Sequence, residues 1–293
     1  MRRKLVQMGQ HSLMAAIPSS WVQRHGLHKG DYLEFHEVEN KLLVSSTAEV
    51  YERKTTIEII SPTIEYVWRT LQPVYLSGYD EVKLTFKDTK ALAIIERFVT
   101  NIVGFEIVET GKDFVIIKSI SKQLDEEFPV ILRRTFFILK QMADVTQEVF
   151  DKKDKKLIAQ IRPLEMTINK YTNFLRRLIN RTGYKYPHYM YLIVTYLELT
   201  SNHLDYLYRY YERNPRAIIE KQASKDFAKL RDLVYHIYDL YYDYTPEKFR
   251  WISEELPHFT WFEKIKDFDV HYNFKSMAEY LVQISRQIAA LHL

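Results

Sequence analysis

The sequence predicts a mixed, multidomain chain, with a turn-rich β front, a small α+β middle and an all-α back. Three observations predict it. Only 7 glycines occur in 293 residues; Gly9, Gly26, Gly30, Gly78 and Gly104 precede residue 105, and none follows Gly183. Turns use glycine and helices avoid it. Apolar residues recur at helical spacing through the back, as in Met190, Ile193, Leu197, Leu204 and Leu207. The length suits two or three domains of about 100–150 residues each.

Residues 1–47 read as ββαββ. Strands are predicted at 4–8 and 13–17 around Gly9, and a short helix over 18–25 opens at Pro18 and exits at Gly26. Lys29-Gly30-Asp31 then turns the chain into a hairpin of 32–38 and 41–45 around Glu39-Asn40. So short a unit buries too little apolar surface to stand alone, and a dimer is expected.

The middle, 53–120, reads βαβαββ. Strand 55–60 is followed by a helix capped at Ser61, with Pro62 in its first turn, running to residue 75. Strand 81–86, helix 90–103 and a hairpin of 105–109 and 114–119 complete it, with no glycine-rich phosphate loop.

From 123 to 293 the pattern is helical. Helices are expected near 126–150, 155–182, 187–213, 221–245, 247–267 and 270–292, with breaks at Asn214-Pro215 and Thr245-Pro246 among others. Short connections imply antiparallel bundles, grouped as triplets over 126–213 and 221–292.

Composition narrows the function classes. With 46% hydrophobic, 27% charged and 14% aromatic residues, a disordered chain is excluded. No stretch approaches about 20 consecutive apolar residues, so no membrane insertion is expected. The opening MRRKLVQMGQ has no apolar run behind its positive charge, unlike a secretory signal. Cysteine is absent, which rules out disulfides and thiolate zinc sites and suits a cytoplasmic location. HExxH, GxSxG, Walker and GxGxxG patterns are also missing, so neither an enzyme nor a bound cofactor is expected.

Charge is mild overall, at +4, but residues 1–30 hold Arg2, Arg3, Lys4, Arg24 and Lys29 and no acid. Lysine and arginine neutralise phosphates, and glutamine forks read base edges. The candidate contacts to double-stranded DNA are therefore Arg2, Arg3 and Lys4, flanked by Gln7, Gln10, His11 and Arg24. A second basic stretch, Arg176-Arg177, Arg181 and Lys185, reads as a solvated helix end, with DNA contact as the alternative. Most of the 22 tyrosines fall in the helical part, where a subset suits a partner surface.

Residues 3–44, RKLVQMGQHSLMAAIPSSWVQRHGLHKGDYLEFHEVENKLLV, resemble a SpoVT/AbrB-type swapped-hairpin domain. The matching features are the basic pair before a glycine turn, Ile17-Pro18, the Gly26-Leu27 helix exit and Lys29-Gly30-Asp31. The resemblance implies an intertwined homodimer with an N-terminal β-barrel that binds DNA, or an antitoxin of the same fold. Three positions depart: Gln10 stands where the family has arginine, and Val22-Gln23 where it has a basic pair. The back resembles the phosphate-uptake regulator PhoU, an all-α bundle of two three-helix repeats. Leu197 to His203 is the counterpart of that family's recurring L-E-R-I-x-D-H helix, and Leu281 to Gln287 takes its place in the second repeat.

The PhoU likeness implies phosphate homeostasis and contact with a phosphate transporter component. Together the two likenesses suggest the domain order of archaeal phosphate-uptake regulators. PhoU-like bundles hold metals through carboxylates four residues apart. Here the pair is Glu198 and Asn202, so both are expected to be polar surface residues rather than ligands.

Overall fold

A computed structural model of the chain describes residues 2–9, 12–38, 41–46, 52–120, 127–182, 184–255, 262 and 264–292. It divides into two compact units, Met1–Arg53 and Lys54–Leu293.

In the first unit, β1 (Val6–Met8) pairs antiparallel with β2 (Ser12–Met14), and Gly9 adopts the positive φ that their turn requires. Helix α1 (Ser19–Arg24) follows Pro18, and β3 (Leu33–Val38) pairs with β4 (Lys41–Ser46), Leu33 opposite Ser46. The ββαββ order matches the reading from sequence, while β1 and β2 are three residues each. Residues 2–5 lie ahead of β1 rather than in it, because the hairpin offers partners only as far as Val6 and Met14.

The second unit opens with a two-layer α/β module. Strands β5 (Lys54–Ile59), β6 (Glu81–Phe86), β7 (Phe105–Thr110) and β8 (Phe114–Ser119) form one sheet in the order β5-β6-β8-β7. β5 runs parallel to β6, and β8 is antiparallel to both its neighbours. The period-2 pattern sends Val82, Leu84, Phe86, Val115 and Ile117 to one face. There they meet Val67, Leu71 and Tyr75 of α2 (Ile64–Leu76) and Ala91, Ile95 and Phe98 of α3 (Lys90–Thr100). Each such side chain contributes roughly 1.5–3 kcal/mol by leaving water.

Helix α2 starts two residues later than expected. Its N-cap is Thr63, whose hydroxyl accepts from Tyr66 N at 3.4 Å, and not Ser61. Thr63 itself is extended, with φ −100° and ψ 147°, so the helix begins only at Ile64 and Pro62 lies ahead of its first turn.

The remainder is helical: α4 (Phe128–Lys152), α5 (Ile161–Thr182) entered through a 3₁₀ turn (Lys155–Gln160), α6 (Pro187–Arg213), α7 (Lys221–Tyr242), α8 (Pro246–Glu255) and α9 (Phe268–Ala290). α5 packs on α4 and α6, while α8 packs on α7 and α9. α4 also lies on α7 and α6 on α9, so one continuous core runs through all six helices. Of the helix expected over 247–267, α8 accounts for the residues up to Glu255, residues 256–261 and 263 lie outside the described residues, and residues 265–267 are not helical. The chain re-enters helix at Asp267, whose carboxylate accepts from Asp269 N and Val270 N.

Candidate functional site

The cations proposed for DNA lie on the first unit. Arg2, Arg3 and Lys4 form an exposed arm leading into β1, and Gln7 is exposed on β1 itself, opposite Leu13. Arg24, in the last turn of α1, is exposed and its Nε donates to Ser20 O at 3.3 Å. Gln10 and His11 lie outside the described residues. The turn after α1 is fixed by Asp31, whose carboxylate accepts from His28 N at 2.6 Å.

The described residues of this unit enclose no interior of their own. None of its described side chains is buried. Leu5, Val6, Met8, Leu13, Phe35 and Leu42 are all more than half exposed, and Tyr32 is 81% exposed. An apolar set of that density needs a cover, and polar residues on the same strands do not supply one.

In the second basic stretch only Lys185 is exposed; the three arginines are not a solvated helix end. Arg176 and Arg177 are buried. Arg177 donates from Nη1 to Tyr75 O and from Nη2 to Tyr79 O, both at 2.7 Å. Its guanidinium lies 5.0 Å from the Tyr75 ring centroid and 4.8 Å from that of Phe105. One turn on, Arg181 pairs with Asp80, and Asn180 Nδ2 donates to Leu76 O at 2.9 Å. Tyr75 and Leu76 end α2, where unpaired carbonyls and the negative end of the helix dipole favour a cation. The bundle thus caps a helix of the α/β module. Local periodicity shows three arginines on a helix; the partners of Arg177 and Arg181 stand about a hundred residues upstream, beyond its reach.

Arg176 points the other way along α5. It pairs with Glu198 of α6 and donates to Asn173 Oδ1 at 2.9 Å, which also accepts from Gln72 Nε2 of α2 at 3.0 Å. Glu198 is therefore not a surface residue: its side chain is 16% exposed and accepts from Thr172 Oγ1 as well. Burial pushes its carboxyl above the usual carboxylate range, against the pull of Arg176. Asn202 is half-buried. A single carboxylate already neutralised by a guanidinium does not fit a hard divalent cation, which takes six or more oxygens. Among the described residues no three histidine, aspartate or glutamate side chains converge as a metal site.

Two further buried polar centres escaped the sequence reading. Asp205, 1% exposed, receives Arg162 Nη1 at 2.8 Å and Arg209 Nε at 2.6 Å. Neighbouring Glu165 is pushed upward by burial and by the Asp205 charge. His203 meets Asn273 Oδ1 at 2.7 Å through Nδ1. Asn273 Nδ2 donates to Asp269 O, so Oδ1 is the accepting end and the histidine proton sits on Nδ1. Burial holds the His203 pKa below its ordinary value.

Comparison with protein-family models, with curated proteins and with solved structures finds no match. Among the described residues, no helix is long and apolar enough to cross a membrane.

Proposed function

We propose that the protein is a DNA-binding transcriptional regulator that dimerises through its first unit, with the helical bundle as its sensing or interaction module. The observation that carries the reading is the pairing, in one short unit, of a coreless apolar surface with an acid-free cationic arm. Leu5, Val6, Met8, Leu13 and Met14, all at least half exposed, would be covered by a second copy. Arg2, Arg3, Lys4 and Arg24 of each copy would then meet phosphates, Gln7 lying beside them. The SpoVT/AbrB and PhoU likenesses support the same assignment and add phosphate homeostasis as its setting. Regulation requires the bundle's ligand or partner to have different affinities for two states of the dimer.

Duplex binding measured against salt concentration tests it. The intact chain should weaken with a log–log slope of about −0.9 per phosphate neutralised. Replacing Arg2, Arg3 and Lys4 by alanine should flatten that slope and abolish most of the affinity. A well-folded chain with no binding at low salt would sink the assignment. It would favour the other reading, an adaptor that acts on a phosphate transporter by protein contact alone.

A further inference from the structure

The longest helix–helix seam of the bundle, between α6 and α9, presents an unusual outer face. On α6 the exposed side chains from His188 to Tyr206 are His188, Tyr189, Leu192 and Tyr206, with Thr195, Tyr196, Leu199 and Asn202 half-buried between them. The acids in that span are withdrawn, Glu198 onto Arg176 and Asp205 onto Arg162 and Arg209. On α9, Phe268 is 75% and Tyr272 54% exposed. Rings touch along the seam in series: Phe268 on Tyr272, Tyr272 on His203, His203 on Tyr206 and Tyr280, Tyr280 on Tyr196. Aromatic enrichment with depletion of charge is the signature of an interface centre.

The charges that remain are on α9, and their order is informative. Asp269, Lys275, Glu279 and Arg286 are all exposed, and none has an ion-pair partner among the described residues. At 100° per residue they share one solvent arc about 120° wide with Phe268 and Tyr272. Their signs run −, +, −, +. Turned end for end about a point between Lys275 and Glu279, the series maps onto its opposite: Asp269 meets Arg286, and Lys275 meets Glu279. The same axis, carried across the seam by the Tyr196–Tyr280 and His203–Asn273 contacts, passes near Leu199. It sets Leu192 of one copy against Tyr206 of the other.

We propose that this seam is a two-fold interface with a second copy of the chain, α9 antiparallel to its mate. A two-fold contact demands a self-complementary surface, and both the charge order and the apolar positions meet that demand. The face is about 27 Å long, from the rise of 18 residues, and about 20 Å wide for two helices in contact. Two such faces bury about 1,100 Å² together, just above the roughly 1,000 Å² that a specific interface should clear. The contact is independent of whatever the first unit binds.

The cysteine-free chain allows a clean test in the full-length protein. Leu192→Cys with Tyr206→Cys places two thiols about 21 Å apart within one copy, too far to bridge internally. Across the interface they should form two symmetric disulfides, giving a covalent dimer on mild oxidation. Val130→Cys with Phe137→Cys, both more exposed than the first pair and lying on α4, is the control and should not. Adding Lys275→Glu to the first pair opposes like charges twice and should slow bridging roughly tenfold. Adding Glu279→Lys as well restores the order and should restore the rate. Bridging no faster than the control, or indifferent to Lys275→Glu, overturns the proposal. So does a loss that the charge swap fails to rescue, which would mean that the face serves a different partner.

Discussion

Arg177 has 4% of its side chain exposed and spends its donors on two backbone carbonyls of another layer. A charge so placed is tolerated because the acceptors are the end of α2 and because two rings flank the guanidinium. Arg177→Ala would remove the guanidinium donors to Tyr75 O, which keeps Gly78 N, and to Tyr79 O, and leave a hole, at a cost of about 3 kcal/mol. Arg177→Lys would recover part of that, since one ammonium cannot span both acceptors with the fork's geometry. Thermal unfolding followed by circular dichroism gives the order: wild type, then lysine, then alanine. His203 makes a second prediction at this scale. Its folded pKa lies below the ordinary histidine value, so the unfolded chain takes up the proton first as pH falls. Its contribution is complete above about pH 6.5 and is lost below that, by no more than about 1.4 kcal/mol per pH unit. His203→Gln should remove this part of the slope between pH 7 and 5, measured by urea unfolding.

Among the elements, the start of α2 offers the sharpest check. Thr63→Ala should cost about 1 kcal/mol, as loss of an N-cap hydroxyl does. Ser61→Ala should fall within about 0.5 kcal/mol of wild type. The reverse order would return the cap to Ser61. The same comparison shows what a sequence can reveal. α6 was legible to the residue, over 187–213, because Pro187 and Asn214 flank a long amphipathic run. Helices without such punctuation drifted, as where α4 covers Phe128–Lys152 against the expected 126–150. The site divided along similar lines. Exposure of Arg2, Arg3, Lys4, Gln7 and Arg24 was readable from local charge and turn chemistry. The burial of Arg176, Arg177 and Glu198 was not, since each depends on a partner brought close only by folding.

In the molecule as a whole, the two units differ in what they need. The second has two large cores, whereas the described part of the first has no buried side chain. Amide hydrogen exchange at decreasing protein concentration should therefore show protection lost from 6–46 and retained over Lys54–Leu293, if a second copy supplies the missing interior. Protection of the first unit that ignored dilution would mean that its apolar strands are covered within one chain. The capping of α2 by α5 has another consequence. Arg177, Asn180, Arg181 and the Gln72–Asn173 bond hold the sheet module to the bundle without help from the peptide that connects them between residues 120 and 127. Severed there, the two pieces are expected to elute as one particle, and separately expressed halves should find each other and complement.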